Sequence, residues 1–289
     1  MPANGIEEFM DQSDRPCQLC GATNLGKFEI KGSSVLWLCK SCELYQYGEL
    51  VNESAYAGEY HSGYQKHLAK KIRTARVRLN RLAPLLKRSG AEPRILDVGC
   101  SVGATLDAAR FFSWDAVGVD ISQDAVDACR SRGLDAIKVE GTRLPFEDNQ
   151  FDAVVNWHVV EHVEDVRQTL TEWQRVLKPG GILFMETPDG ASPKVRKLGV
   201  AYRKFWAPEH TYTFTHDNLS RFLEESGMEV VAGPWVGNVL RHGFLFGPYA
   251  VAYRLFHSIR RGMGVHKEFQ IFARKPAVDN GERELAAAA

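Results

Sequence analysis

Four cysteines stand in this chain as two matched pairs, and sulfur at that spacing binds metal. Cys17 and Cys20, then Cys39 and Cys42, bracket the stretch "CQLCGATNLGKFEIKGSSVLWLCKSC". Each Cys-x-x-Cys makes a tight knuckle, and a short strand pair ("KFEI", "VLWL") carries the second knuckle back beside the first. The four thiolates then close a tetrahedral site for zinc. Four sulfurs leave zinc no open position, so the metal is expected to be structural, and too little apolar surface lies here to hold a fold without it. A redox pair is the alternative, which matched knuckles disfavour; the spacing does not separate zinc from iron. Cys100 and Cys129 are isolated and read as plain thiols.

The second chemical group is a glycine turn with acids around it. "RILDVGCSVGATLDAA", residues 94–109, reads as strand, turn and helix, the place where α/β proteins grip a nucleotide. A dinucleotide site wants Gly-x-Gly-x-x-Gly. Gly99 and Gly103 are present, but Ser101 and Ala104 fill the second and third glycine positions. Asp97, just before the turn, repels phosphate and suits a positively charged ligand without one. S-adenosylmethionine, with its sulfonium and ammonium, fits that description. Asp120 ends the next strand, where a carboxylate can accept both ribose hydroxyls; capping the following helix beside Ser122 is its alternative role. Glu140, read as ending the third strand, is placed to take an adenine amino group or simply to face solvent.

Two histidine clusters offer a general base. In "NWHVVEHVED", His158, Glu161 and His162 follow the fourth strand, and steps of three and four put them on one side of a turn. They either line the site or act as structural support beneath the ligand. In "FWAPEHTYTFTHDNL", Pro208 fixes a turn, and Glu209 and His210 stand in an aromatic loop ahead of a helix capped by Thr215 or Asp217. Tyr202, Arg203 and Lys204, just upstream, can meet a substrate anion. His210, with Glu209 and His158, is the expected catalytic set.

These groups need a frame, and the chain supplies one. Its 289 residues are 44% hydrophobic, with 36 basic and 36 acidic side chains, so no net field favours nucleic acid. No apolar run reaches the roughly 20 residues of a membrane span, and the N-terminus lacks a secretory pattern, so a cytoplasmic protein is expected. Five regions follow: a cysteine region at 1–58, a basic amphipathic helix at 59–91, a nucleotide core at 92–190, substrate-side loops, a lid and last strands at 191–276, and a tail at 277–289. In the helix, Leu68, Ile72, Ala75, Leu79, Leu82 and Leu86 share one face while Lys66, Lys70, Lys71, Arg73, Arg76, Arg78 and Arg81 cover the other. That basic face is solvated or attracts a phosphate-bearing substrate, and Pro84 shortens the helix near its end. From Glu92 strands alternate with helices, which predicts a mostly parallel α/β sheet covered on both faces. "LKPGG" reads as a helix stop, and the aromatic stretch 240–262 as buried packing, a dimer surface or a peripheral membrane contact.

"ILDVGCSVGA", "VGVDIS", "VEGTRLPFEDNQFDAVVNWHVVEHVED" and "RVLKPGGILFMETP" resemble, in order, successive motifs of the class I S-adenosylmethionine-dependent methyltransferases. The resemblance implies a doubly wound, Rossmann-like, seven-stranded sheet with an antiparallel last strand, which "KEFQIFARKP" can supply. It also implies that Asp97, Gly99, Ser101, Gly103, Asp120, Ile121, Glu140, Gly141, Asn156 and His158 contact the cofactor. Ser101 departs from the usual glycine. The cysteine pairs and the Glu209–His210 loop are similar to deoxysugar nucleotide C-methyltransferases, which join a zinc-binding region to this core. Similar quinone and catechol O-methyltransferases can hold a divalent metal near His158, Glu161 and His162, with an acid where His158 stands. The leading expectation is therefore methyl transfer to a small molecule, foremost a sugar nucleotide or other glycan or secondary-metabolite intermediate, at carbon or oxygen. A quinone- or catechol-type O-methyltransferase, an RNA methyltransferase and a non-catalytic cofactor-binding module are the alternatives.

Overall fold

The computed structural model describes residues 8–9, 16–30, 34–47, 67–86, 91–198, 210–231 and 268–277. Apolar strands at 94–98, 115–120, 135–138, 151–157 and 177–188 form β5 (Arg94–Val98), β6 (Asp115–Asp120), β7 (Asp135–Lys138), β8 (Phe151–Trp157) and β9 (Leu177–Pro188), all parallel to one another. With β11 (Glu229–Val231) and β12 (Glu268–Arg274) they make a seven-stranded sheet in the order β11-β12-β9-β8-β5-β6-β7. β12 runs antiparallel between β9 and β11, as the last-strand expectation required. The chain order reverses between β5 and β8, so the carboxyl ends of those two strands border the crevice where an open α/β sheet binds ligands.

Alternate residues of each strand face opposite layers. Ile95, Ala153, Val155, Ile182, Phe184 and Phe272 pack with Ala75, Leu79 and Leu82 of α1 (Leu68–Leu82) and with Ala108 and Ala109 of α2 (Ala104–Phe111). Leu96, Val98, Val154, Leu183, Met185 and Ile271 face α4 (Val166–Val176) and α5 (His216–Glu225) through Leu170, Trp173, Leu219 and Phe222. α3 (Gln123–Arg130) closes the β7 edge through Val126 and Cys129. α1 gives way to a 3-10 turn at Ala83–Leu85, where Pro84 lacks the N–H an α-helix would use. Its basic face is divided: Arg78 and Arg81 turn toward the sheet, while Lys70, Arg73 and Arg76 are exposed.

Three readings change. "LKPGG" does stop α4 at Val176, but the same residues continue directly as β9, with a register shift opposite Phe151 and Ala153. β7 ends at Lys138, so Glu140 lies beyond the strand. The cysteine region does not close on itself. Its sheet runs β1 (Glu8–Phe9), β2 (Leu25–Ile30), β3 (Ser34–Cys39), β4 (Tyr45–Tyr47) and then β10 (Tyr212–Thr213), a strand contributed from beyond the nucleotide core. Leu19, Leu25 and Leu44 share one continuous core with Tyr212 and Phe214. Among the described residues, no helix is long and apolar enough to cross a membrane. The aromatic stretch 240–262, Tyr202–Lys204 and Glu209 lie outside the described residues.

Candidate active site

β5 delivers Asp97 and the turn that follows it. Gly99, Ser101 and Gly103 all take left-handed backbone, with φ of 71°, 48° and 77°. A Cβ on Gly99 would stand 2.5 Å from Val159 Cγ2, and one on Gly103 would stand 2.6 Å from Leu134 Cδ1, so both positions require glycine. Ser101 adopts the same handedness with a side chain, which explains why glycine is the easier residue there. Asp120 fastens the turn: its carboxylate accepts from Ser101 N at 2.8 Å and from Ser122 N at 2.9 Å. Ser122 in turn caps α3 by accepting from Ala125 N, so the capping and turn-holding roles of this stretch coexist.

Several buried polar atoms at the carboxyl ends of β5 and β8 and in the turn between β5 and α2 have no hydrogen-bond partner among the described residues. They are Asp97 Oδ1, Ser101 Oγ, and both Oδ1 and Nδ2 of Asn156, which pairs with Val98 across the β5–β8 boundary. Burial pushes the Asp97 carboxyl up to about 7; Thr105 pulls it down, Asp120 raises it further, and Arg78 opposes the rise. Thr105 is itself fixed by the Trp157 indole N–H at 2.8 Å. An unsatisfied, half-neutral buried acid beside a second carboxylate is a site for a cation with hydrogen bonds to give. The donor set thus fits S-adenosylmethionine. Ile121 is 44% exposed beside Asp120, an uncovered apolar surface at the strand end. Gly141 has a φ of 67° and open space over its Cα, and Glu140 points outward to Lys138 Nζ at 2.9 Å.

The acids and histidines form a second group. His158 also has left-handed backbone (φ 58°). Its Nδ1 lies 3.1 Å from Glu161 Oε1, and its Nε2 lies 3.6 Å from Glu186 Oε1 and 3.9 Å from Glu268 Oε1. Burial opposes its charge, but the bonds to Glu161 and Glu186 outweigh that and hold its pKa at about 10. At neutral pH it is a fixed cation with no free lone pair for a proton. Glu161 is fully buried; burial raises its carboxyl, and the His158 bond and charge more than reverse this. Its second oxygen accepts from Thr187 Oγ1 at 2.9 Å. On the other side, one ligand atom each from Glu161, His162 and His210 lie within 4.8 Å of one another, and the His162 and His210 rings meet edge to face at 4.8 Å. The structure therefore brings His210 to the His158–His162 cluster, two places 48 residues apart between His162 and His210 in the chain.

Sequence reasoning missed Glu186, Thr187, Gln270 and the inward role of Arg78. Arg78 pairs with Glu186 and lies over the Trp157 ring at 4.5 Å, while Gln270 bonds Glu186 and accepts from Arg81 at 2.7 Å. A readable signal existed: Glu186 closes the apolar run "GILFME", and an acid on a buried strand must find a charge partner.

The four cysteines meet as expected. Cys17 Sγ is 3.6 Å from Cys42 Sγ and Cys20 Sγ is 3.6 Å from Cys39 Sγ, with all four within 4.8 Å. Tetrahedral zinc with bonds near 2.3 Å places sulfurs about 3.8 Å apart, so the cluster fits the ion. The two knuckles are built alike: Gly21 N donates to Cys17 O at 2.8 Å and Glu43 N to Cys39 O at 2.9 Å, with φ of 74° and 60°.

Residues 64–232 match a family described as a methyltransferase domain. The chain is 30% identical over 175 residues to the ubiquinone biosynthesis O-methyltransferase of Dinoroseobacter shibae, spanning 56% of this chain and 67% of that protein. Similarity to the protein of the same name from Chelativorans sp. is 27% over 205 residues, 63% of this chain and 80% of the other. A SAM-dependent methyltransferase from Archaeoglobus fulgidus shares the fold, with a TM-score of 0.51 at 18% identity over 75% of this chain and 100% of that one.

Proposed function

The chain belongs to this methyltransferase-domain family and is a class I S-adenosylmethionine-dependent methyltransferase, and from that premise we propose that its acceptor is a phenolic hydroxyl on a quinol- or catechol-like ring. The observation that carries the acceptor class is the likeness to proteins named for O-methylation in ubiquinone biosynthesis, at 30% identity over two thirds of such a protein. This displaces the sugar-nucleotide expectation from first place. The four-cysteine region and His210 support that second reading, since both belong to the pattern that suggested it.

Bound S-adenosylmethionine supplies a methyl group already activated on a sulfonium. Asp120 would hold the ribose hydroxyls on its remaining lone pairs, Asp97 and Asn156 would meet the ammonium end, and Ile121 and Gly141 would receive the adenine. Ser101 N, fixed by Asp120, holds the turn at the width this needs. His158, protonated and locked between Glu161 and Glu186, shapes the floor between donor and acceptor. His210 accepts the proton that the acceptor hydroxyl loses, with Glu161 and His162 beside it. A base in this position contributes roughly 10²–10⁴-fold, and holding acceptor and methyl in line contributes roughly 7–11 kcal/mol.

Incubation with methyl-labelled S-adenosylmethionine, separately with protocatechuate as a catechol probe and with a cell extract, tests the reading. Label recovered as an aryl methyl ether, or in the organic-extractable phenols of the extract, is the expected result. Label confined to acid-soluble sugar nucleotides would replace the phenolic reading with the second one, and label in RNA would replace both.

A further inference from the structure

We propose that metal in the four-cysteine cluster holds the His210 backbone in place, making the cluster a positioning centre for the acceptor side of the site. The inference deepens the reading above and rests on His210 being the proton acceptor; the coupling itself is a matter of strand pairing. The chain leaves the second knuckle at Cys42 and enters β4 at Tyr45. β4 pairs with β10 in the register Tyr45 to Thr213 and Gln46 to Tyr212, and Tyr47 N donates to Thr211 O at 3.0 Å. His210 is the residue immediately before that bond.

The other side of β10 is fastened to the histidine cluster. Thr211 N and Tyr212 N both donate to Glu161 O, at 2.7 and 3.0 Å, and Tyr212 Oη donates to Glu164 O at 2.7 Å. β10 is thus held between β4 and the turn that carries Glu161 and His162. The first knuckle completes the frame. Gln18 N donates to Gln46 Oε1 at 2.8 Å, tying that knuckle to β4, and Arg167 on α4 donates to Gln18 O at 3.2 Å and to Leu19 O, tying it to the core. Four thiolates brought to one point repel one another until a cation joins them, so metal binding adds folding energy to this small sheet. The cofactor turn is fastened differently: Gly99 N and Cys100 N bond Val119 O, and Ser101 N bonds Asp120, all on β6.

Cys39→Ser in the full chain removes one ligand, and Arg167→Ala leaves all four thiols but releases the first knuckle from α4. Metal content, S-adenosylmethionine affinity, amide hydrogen exchange at 211–213, and kcat and KM for protocatechuate across pH are measured for both. In Cys39→Ser, zinc content falls, exchange at Thr211 and Tyr212 accelerates by about tenfold or more, and cofactor affinity stays within about twofold because the turn is anchored on β6. kcat falls by roughly 100-fold, as a base displaced by about an ångström requires, and the pH profile loses the limb that His210 supplies. Arg167→Ala shows the same pattern more weakly with its metal retained, which separates positioning from loss of fold. Unchanged exchange at 211–213 in metal-poor protein overturns the proposal, and so does cofactor affinity that falls in step with metal content. Faster exchange with unchanged kcat upholds the coupling and removes His210 from the mechanism instead.

Discussion

The donor and acceptor sides of this site are built by different means. On the donor side, Asp97, Gly99, Ser101, Gly103 and Asp120 come from one strand–turn–helix–strand stretch, and backbone amides set their positions. On the acceptor side, His158, Glu161, Glu186, His210 and Glu268 come from four distant stretches; paired charges set the His158 group, and strand pairing beside it sets His210. A locally built pole tolerates disturbance elsewhere in the molecule. A pole assembled from distant stretches depends on everything that holds those stretches together, including the small cysteine sheet.

The sharpest way to break this contrast is at Asp120. Asp120→Ala removes the acceptor of two backbone bonds and of the ribose, and is expected to weaken S-adenosylmethionine binding by about 10²–10⁴-fold, from two charge-assisted hydrogen bonds at roughly 1.5–3 kcal/mol each. Equilibrium binding by calorimetry reads this, and unchanged affinity would place the cofactor elsewhere.

On the acceptor side the largest effect is on stability. Glu161→Ala removes one of the two buried carboxylates that hold His158 and is expected to destabilise the fold by about 3 kcal/mol, the low end for a broken buried pair because Glu186 remains and His158 keeps a solvated edge. The contribution has a sign in pH. His158 is raised from 6.5 to about 10, so the pair's stabilisation is complete below pH 6.5 and is lost as pH rises through about 10. Denaturant unfolding across that window should show the loss in the wild type and a smaller loss in the variant, where Glu186 and Glu268 remain beside His158.

Asp97 gives a smaller, pH-dependent test of the donor side. Its carboxyl lies raised to about 7, so it is largely neutral at pH 6 and ionised at pH 8. A cationic ligand needs the ionised form, so cofactor affinity should rise about tenfold between those pH values, with close to one proton released on binding at pH 6 and almost none at pH 8. Asp97→Asn should flatten the dependence; a steep dependence persisting in that variant would assign it to another group. Ser101→Gly is the mildest test. Relief of the left-handed serine, set against glycine's entropy, predicts a gain of up to about 1 kcal/mol, read as a small rise in Tm with cofactor affinity retained.

The same contrast governs how much was legible in the sequence. Turn residues, caps and strand ends act over a few positions, so "LDVGCSVGA", Ser122 and Thr215 announced their roles, and the two cysteine knuckles announced their meeting. The alternation of apolar strands with helices gave the layers, and the antiparallel last strand came from the methyltransferase resemblance. Pairings across the fold left no local trace. Nothing in "YTF" says that β10 joins the cysteine sheet, and nothing in "RVRLNRL" says that Arg78 turns inward to Glu186 while Arg76 stays out. His158 read as a base from its type and position; its charge became visible only with Glu161 and Glu186 around it.

The division between the two sides is tested most directly by His210→Ala, with cofactor affinity and methyl transfer measured on the same preparation. The account predicts S-adenosylmethionine affinity within about twofold of wild type and transfer to the catechol probe slower by roughly 10²–10⁴-fold. Transfer at the wild-type rate, or cofactor affinity lost along with it, would contradict it.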